Sequence, residues 1–139
     1  MKIVSACLAG KKCAWDGKDR ACQRVIDLVE KGEAIVVCPE QLGGLTTPRI
    51  PAEQRDNGVF TKDGKDVSIQ FERGAKEALK IARLSHCDGA ILKSKSPSCG
   101  SGKVYDGTFS GKLIDGDGVF ASLLKKNGIK VITQVFLKI

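Results

Sequence analysis

Apolar residues fall along this chain in short blocks, and the spacing within each block distinguishes strands from helices. Ile3 to Ser5 reads as a buried strand, "AIVVC" and "GAILK" are continuous apolar runs of the kind fully buried parallel strands carry, and "IKVIT" closes the series. Between them lie helical stripes. "CQRVIDLVEKG" places apolar residues at 22, 25, 26 and 29 and stops at Gly32. A second stripe runs through Phe71, Ala75, Ala78, Leu79 and Ala82, with Ser68 as the expected cap. A third helix is expected from Val119 to about Lys126, ended by Asn127–Gly128. The stretch from Pro39 to Asn57 shows no clear period and is expected to be irregular. "VFTKDGKDV" reads as a hairpin around Asp63–Gly64, and the glycine-rich stretch before Asp117 reads as a long loop.

Strands that alternate with helices require parallel pairing through crossovers, so the fold class is α/β with a mostly parallel sheet. At 139 residues the chain is expected to form a single domain over 1–139. In open parallel sheets, ligands bind outside the carboxyl ends of the strands. Cys7, Cys38 and Cys99 each follow such an end, so this architecture would gather three thiols at one edge.

Converging thiols have more than one use. Thiolates are soft ligands for iron–sulfur clusters, zinc or copper(I), and three protein ligands leave a coordination position open for substrate. No C-x-x-C pair is present, however, and free cysteine is also a common small core residue. The surroundings favour a site: Pro39 stiffens the chain beyond Cys38, Glu40 stands two residues from it, and Ser96 and Ser98 flank Pro97 beside Cys99. Cys22 and Cys87 read as core residues. Cys13 is the one further candidate ligand or redox partner, and His86, the single histidine, reads as a capping or surface residue. With one histidine so placed, Cys–His proteolysis and His-based zinc chemistry are disfavoured.

Composition narrows the picture further. Hydrophobic and charged fractions of 42% and 28% are those of a globular protein, and only 5% of residues are aromatic, so a mainly aliphatic core is expected. No apolar run approaches a signal peptide or a membrane span, which points to a cytoplasmic protein. The formal charge of +7 favours anionic partners. It leaves open a nucleotide- or RNA-binding module with structural cysteines, and Cys7 with Cys13 leaves open a thiol redox enzyme. Two phosphate motifs fail. "GTFSGKL" is one residue short of a P-loop, and "GDGVFA" opens a helix without the βαβ context of a dinucleotide site. The helix amino terminus at Gly118 remains a possible anion site.

Taken in order, "VSACLAG", "WDG", "VCPEQLGG", "TPR", "KSPSCG" and "YDGTFSGKL" closely resemble the thiouracil desulfidase family in its short single-domain form, over Ile3 to about Thr133. The resemblance implies a Rossmann-like three-layer domain carrying a [4Fe–4S] cluster on Cys7, Cys38 and Cys99. Its open iron would take the sulfur of a thiolated pyrimidine base, nucleoside or nucleotide and leave the oxo base and sulfide. It further implies catalytic roles for Glu40 and Ser96, with Ser94 and Ser98 as close neighbours of the latter. Ser98, Lys93, Lys95 and Lys103 are the expected substrate contacts, and a monomer with no stable nucleic-acid complex is expected. Ala14 and Trp15 depart from the family's pattern, which has a basic residue and a tyrosine there, and this bears on substrate preference.

Overall fold

A computed structural model describes residues 1–137. Four strands form the central sheet: β1 (Lys2–Ser5), β2 (Ala34–Val37), β5 (Gly89–Leu92) and β8 (Lys130–Thr133), in the order β2-β1-β5-β8 and parallel throughout. Helix α1 (Gln23–Glu30) packs on one face, where Val25 meets Val4, Leu8 and Ile91. Helices α3 (Ser68–Leu84) and α4 (Val119–Lys126) cover the other, where Ala75, Ala78, Leu79, Phe120 and Leu124 meet Ile3, Val37 and Leu92. This is the three-layer α/β arrangement expected from the alternating pattern.

The sheet order creates the site. From β1 the chain passes to β2 on one side, and it later returns to β5 on the other. The crossovers therefore part at the carboxyl ends of β1 and β5, where a crevice opens.

Several local expectations are corrected. The stretch after Cys38 is ordered: it contains α2 (Pro39–Leu42) and β3 (Ala52–Arg55). Strand β3 pairs antiparallel with β4 (Gly58–Thr61) through a turn at Asp56–Asn57, both in left-handed conformation. The Asp63–Gly64 turn exists, with the Thr61 amide donating to Lys65 at 2.8 Å, but only the Phe60–Asp66 bridge follows it. Ser68 does not cap α3. Its hydroxyl accepts the Val59 amide at 2.9 Å, and Asp66 Oδ1 accepts the Ser68 amide instead. The glycine-rich stretch holds a small hairpin, β6 (Lys103–Tyr105) with β7 (Leu113–Asp115). Cys22 is only partly buried at the start of α1, whereas Cys87 lies in the core and His86 is exposed. No helix among the described residues is long and apolar enough to cross a membrane.

Helices α2 and α3 approach closely enough to require glycine on both sides. A Cβ on Gly43 would lie 1.9 Å from the Gln70 carbonyl oxygen, and one on Gly74 would lie 1.8 Å from that of Pro39. This contact fixes the start of α2, and with it Cys38.

Candidate active site

Each of the three cysteines sits in a short turn that the sequence dictates locally. Cys7 lies in a single 3-10 turn, Ala6–Ala9, which ends at Gly10 with φ +96°. Its carbonyl accepts the Arg20 amide at 2.9 Å, drawing the "WDG" loop back over the end of β1. Cys38 is the N-cap of α2, and Pro39 at the first helical position is preorganised for that start. Cys99 closes the turn Ser96–Cys99, in which the Ser96 hydroxyl accepts the amides of Ser98 at 3.2 Å and Cys99 at 3.1 Å.

That last turn is held from behind by α4. The amides of Val119, Phe120 and Ala121 donate to the carbonyls of Pro97 and Ser98 at 2.9, 2.8 and 3.2 Å. The first amides of the helix are therefore spent on the cysteine turn, which overturns the expectation of an anion site at Gly118. A Cβ on Gly118 would lie 2.4 Å from the Ser98 carbonyl carbon, so only glycine allows this approach. Gln54 adds a further tie, donating to the carbonyls of Pro97 at 3.0 Å and Asp117 at 3.1 Å.

Cys7, Cys38 and Cys99 all line one cavity of about 510 Å³ at the carboxyl ends of the strands, together with Glu40, Ser96, Ser98, Lys93 and Lys95. A larger groove of about 700 Å³ runs past Lys2, Gly89 and Lys130, at the opposite ends of β1, β5 and β8, and no cysteine lines it. Burial pushes the Cys99 thiol up to about 12, against the pull of hydrogen bonds with Ser5 and Ser98. The contact with Cys13 and burial push Cys38 far above the ordinary thiol range. Without a cation these thiols stay protonated. A bound metal centre reverses that preference and deprotonates them.

Across the cavity lies a hydrogen-bonded chain. The Ser98 hydroxyl is 3.0 Å from Glu40 Oε2 and 3.1 Å from the Ser96 hydroxyl. It also lies 3.6 Å from Cys99 Sγ. Arg49 Nε donates to the other Glu40 oxygen at 3.1 Å, and both side chains are largely buried. Ser94 belongs to a different network, since its hydroxyl accepts from Gln134 Nε2 at 2.9 Å and Lys93 Nζ at 3.3 Å. Burial pulls the Lys93 ammonium below its ordinary range. Lys103 is not on the cavity wall, and its ammonium pairs with Asp115 across the β6–β7 hairpin.

The donor set fits a polynuclear iron–sulfur group better than a single ion. Among the described residues no three His, Cys, Asp or Glu side chains stand close enough to hold one metal ion. The three cysteines nonetheless face one cavity and offer only soft donors, as a cluster that spreads its thiolates over several irons requires.

The sequence model of the 2-thiouracil desulfurase family matches residues 3–135. The chain belongs to this family. The uncharacterized protein YbbK of Bacillus subtilis (strain 168) is 44% identical over 144 residues, covering 96% of this chain and 95% of its own length. A solved structure of the [4Fe–4S]-dependent thiouracil desulfidase TudS matches with a TM-score of 0.93 and 41% identity, over 98% of this chain and 91% of that one.

Of two further groups of residues on this desulfurase-family site, the sequence pattern marked only Trp15, as a departure from the family that bears on substrate preference. Arg49 binds Glu40 and, through Nη2, the Cys13 carbonyl at 2.9 Å. Its one sequence signal was its place in "TPR". The aromatic residues Trp15, Tyr105 and Phe109 also line the cavity. Trp15 and Tyr105 are the only Trp and Tyr of an aromatic-poor chain, and a heteroaromatic ring can stack on such faces.

Proposed function

We propose that this protein is a [4Fe–4S]-dependent desulfidase that converts thiolated pyrimidines, as thiouracil or its nucleoside or nucleotide, to the oxo base and sulfide. The observation that carries this reading is the position of Cys7, Cys38 and Cys99 on one cavity wall, beside the bonded pair of Glu40 and Ser98. Cys7, Cys38 and Cys99 are the cluster ligands. When bound, the cluster supplies a soft Lewis-acidic iron whose open position favours a thiocarbonyl sulfur over a carbonyl oxygen.

The remaining work falls to the side chains around it. Trp15, Tyr105 and Phe109 stack the ring, while Lys93, Lys95 and Ser98 contact its polar edge or phosphate. Glu40 takes a proton from the attacking water, and Ser96 passes a proton along the line Ser96–Ser98–Glu40. In the balance of the reaction the water oxygen replaces the sulfur on carbon, the sulfur departs as sulfide, and no electron is gained or lost. The reading includes a cytoplasmic monomer that handles small molecules and needs no stable nucleic-acid complex.

Purification without oxygen, followed by iron and acid-labile sulfide analysis, is the test. About four of each per chain are expected, with one sulfide and one uracil formed per thiouracil consumed. Cys7→Ala, Cys38→Ala and Cys99→Ala should each lose the metal and the activity. Sulfide release at the full rate by protein without a cluster would overturn the reading.

A further inference from the structure

The proposed reaction gives no task to Cys13, although it lines the same cavity as the other three thiols. Its thiol neighbours those of both Cys7 and Cys38. The residue is only 4% exposed, yet it joins none of the three apolar clusters of the described residues. Cys7, Cys22, Cys87 and Cys99 each pack in one of those clusters, so among the six cysteines Cys13 shares this property only with Cys38. Cys13 is thus buried against other thiols and not as a small core residue. Its backbone is fixed as well. The Cys13 amide donates to Lys11 at 2.9 Å, and its carbonyl accepts Arg49 Nη2 at 2.9 Å and the Cys38 thiol at 3.9 Å.

With Cys13, four thiols line this one cavity, and thiols are the soft donors that an iron–sulfur centre takes. We propose that Cys13 is a fourth, exchangeable thiolate of the metal site, which binds the iron left open by Cys7, Cys38 and Cys99 and yields it to the sulfur of the substrate. The inference rests on the desulfidase reading. The exchange transfers no electrons, and the thiolate that leaves the iron takes up a proton from solvent. In the resting protein a fourth thiolate would shield the exposed corner of the cluster from oxidants, at the cost of competition with substrate.

The test compares anaerobically reconstituted wild type, Cys13→Ala, Cys13→Ser and, away from the cavity, Cys22→Ala. Iron and sulfide are counted first, and about four of each are expected in every protein. Ferricyanide is then added, one electron leaving each cluster as a ferrous ion departs, and the three-iron product is followed by EPR. Cys13→Ala should lose its fourth iron at least about tenfold faster than wild type and Cys22→Ala. Cys13→Ser, which keeps the side-chain size, serves the same comparison should the alanine variant fail to fold. Equal rates of iron loss would overturn the proposal and leave the desulfidase reading intact. A folded Cys13→Ala protein that assembles no cluster would also overturn it, because Cys13 would then be an obligatory ligand. Absence of a four-iron cluster in the wild type would overturn both.

Discussion

The Ser98 hydroxyl lies 3.0 Å from the Glu40 carboxylate, joining the turn after β5 to the helix after β2 across 58 positions of sequence. Ser98 is therefore the residue through which Ser96 reaches Glu40, and the two serines should fail differently. Ser98→Ala breaks the relay but leaves the turn intact, so kcat for sulfide release should fall while iron per chain holds. Ser96→Ala also removes the acceptor of two amides and should lose iron as well. Glu40→Gln should lower kcat by about 10²–10⁴-fold with the metal retained, the range for a general acid–base group. Rate and iron content measured on the same preparations separate the three.

Arg49 lies buried between Glu40 and the carbonyl of Cys13. Truncating it to alanine leaves a largely buried carboxylate without its partner, a loss of about 3–5 kcal/mol. Arg49→Lys keeps the charge but cannot reach Glu40, Thr47 and Cys13 together. Chemical denaturation should place Arg49→Lys between wild type and Arg49→Ala. Both variants should retain less iron on exposure to a chelator.

Two glycines remote from the chemistry hold the cysteine turns by close approach. Gly74→Ala would drive a methyl group into the Pro39 carbonyl, and Gly118→Ala would do the same at the backbone of Ser98. Each should destabilise the fold by about 1–3 kcal/mol and lower iron per chain, though neither residue touches the cavity. A loss of stability with full iron content would show that the turns do not depend on these contacts.

Asp117 supplies a pH-dependent prediction. Burial works against its ionised form, but the Lys125 ammonium at 2.9 Å and the Gly102 amide outweigh that and hold the carboxyl below its ordinary value. A carboxyl lowered on folding contributes stability above its unfolded value of about 3.9, and that contribution fades as pH falls through the folded value. Asp117→Asn should therefore be less stable than wild type at pH 7, by up to about 1 kcal/mol. The gap should close below pH 4, as read from thermal melts across the range.

The readable parts of this protein are those where local pattern and topology agree. Apolar, largely β-branched runs marked β1, β2 and β8, and the continuous apolar run "GAIL" marked β5. The rule that parallel sheets bind at their carboxyl ends then brought Cys7, Cys38 and Cys99 together. The short elements were less visible. Helix α2 has four residues, too few for a period, and β3 carries "AEQR", whose polar side chains conceal a strand that pairs only with β4. Ser68 has the residue type of a cap, yet its hydroxyl was claimed by the Val59 amide of a neighbouring strand.

By itself, the sequence determined the layered α/β class, the three thiols that meet at one edge, and the residue types beside them, because the alternation of strands and helices and the side-chain chemistry follow from local composition and few topological choices. Only the tertiary structure decided which hydroxyl meets Glu40, that Arg49 clamps Glu40 and the Cys13 loop, that Lys103 lies off the cavity wall, and that the first amides of α4 serve the Cys99 turn instead of an anion. The physical reason is reach. A hydrogen bond depends on the placement of two groups to within a few tenths of an ångström, and for groups tens of residues apart that placement exists only once the whole core has packed.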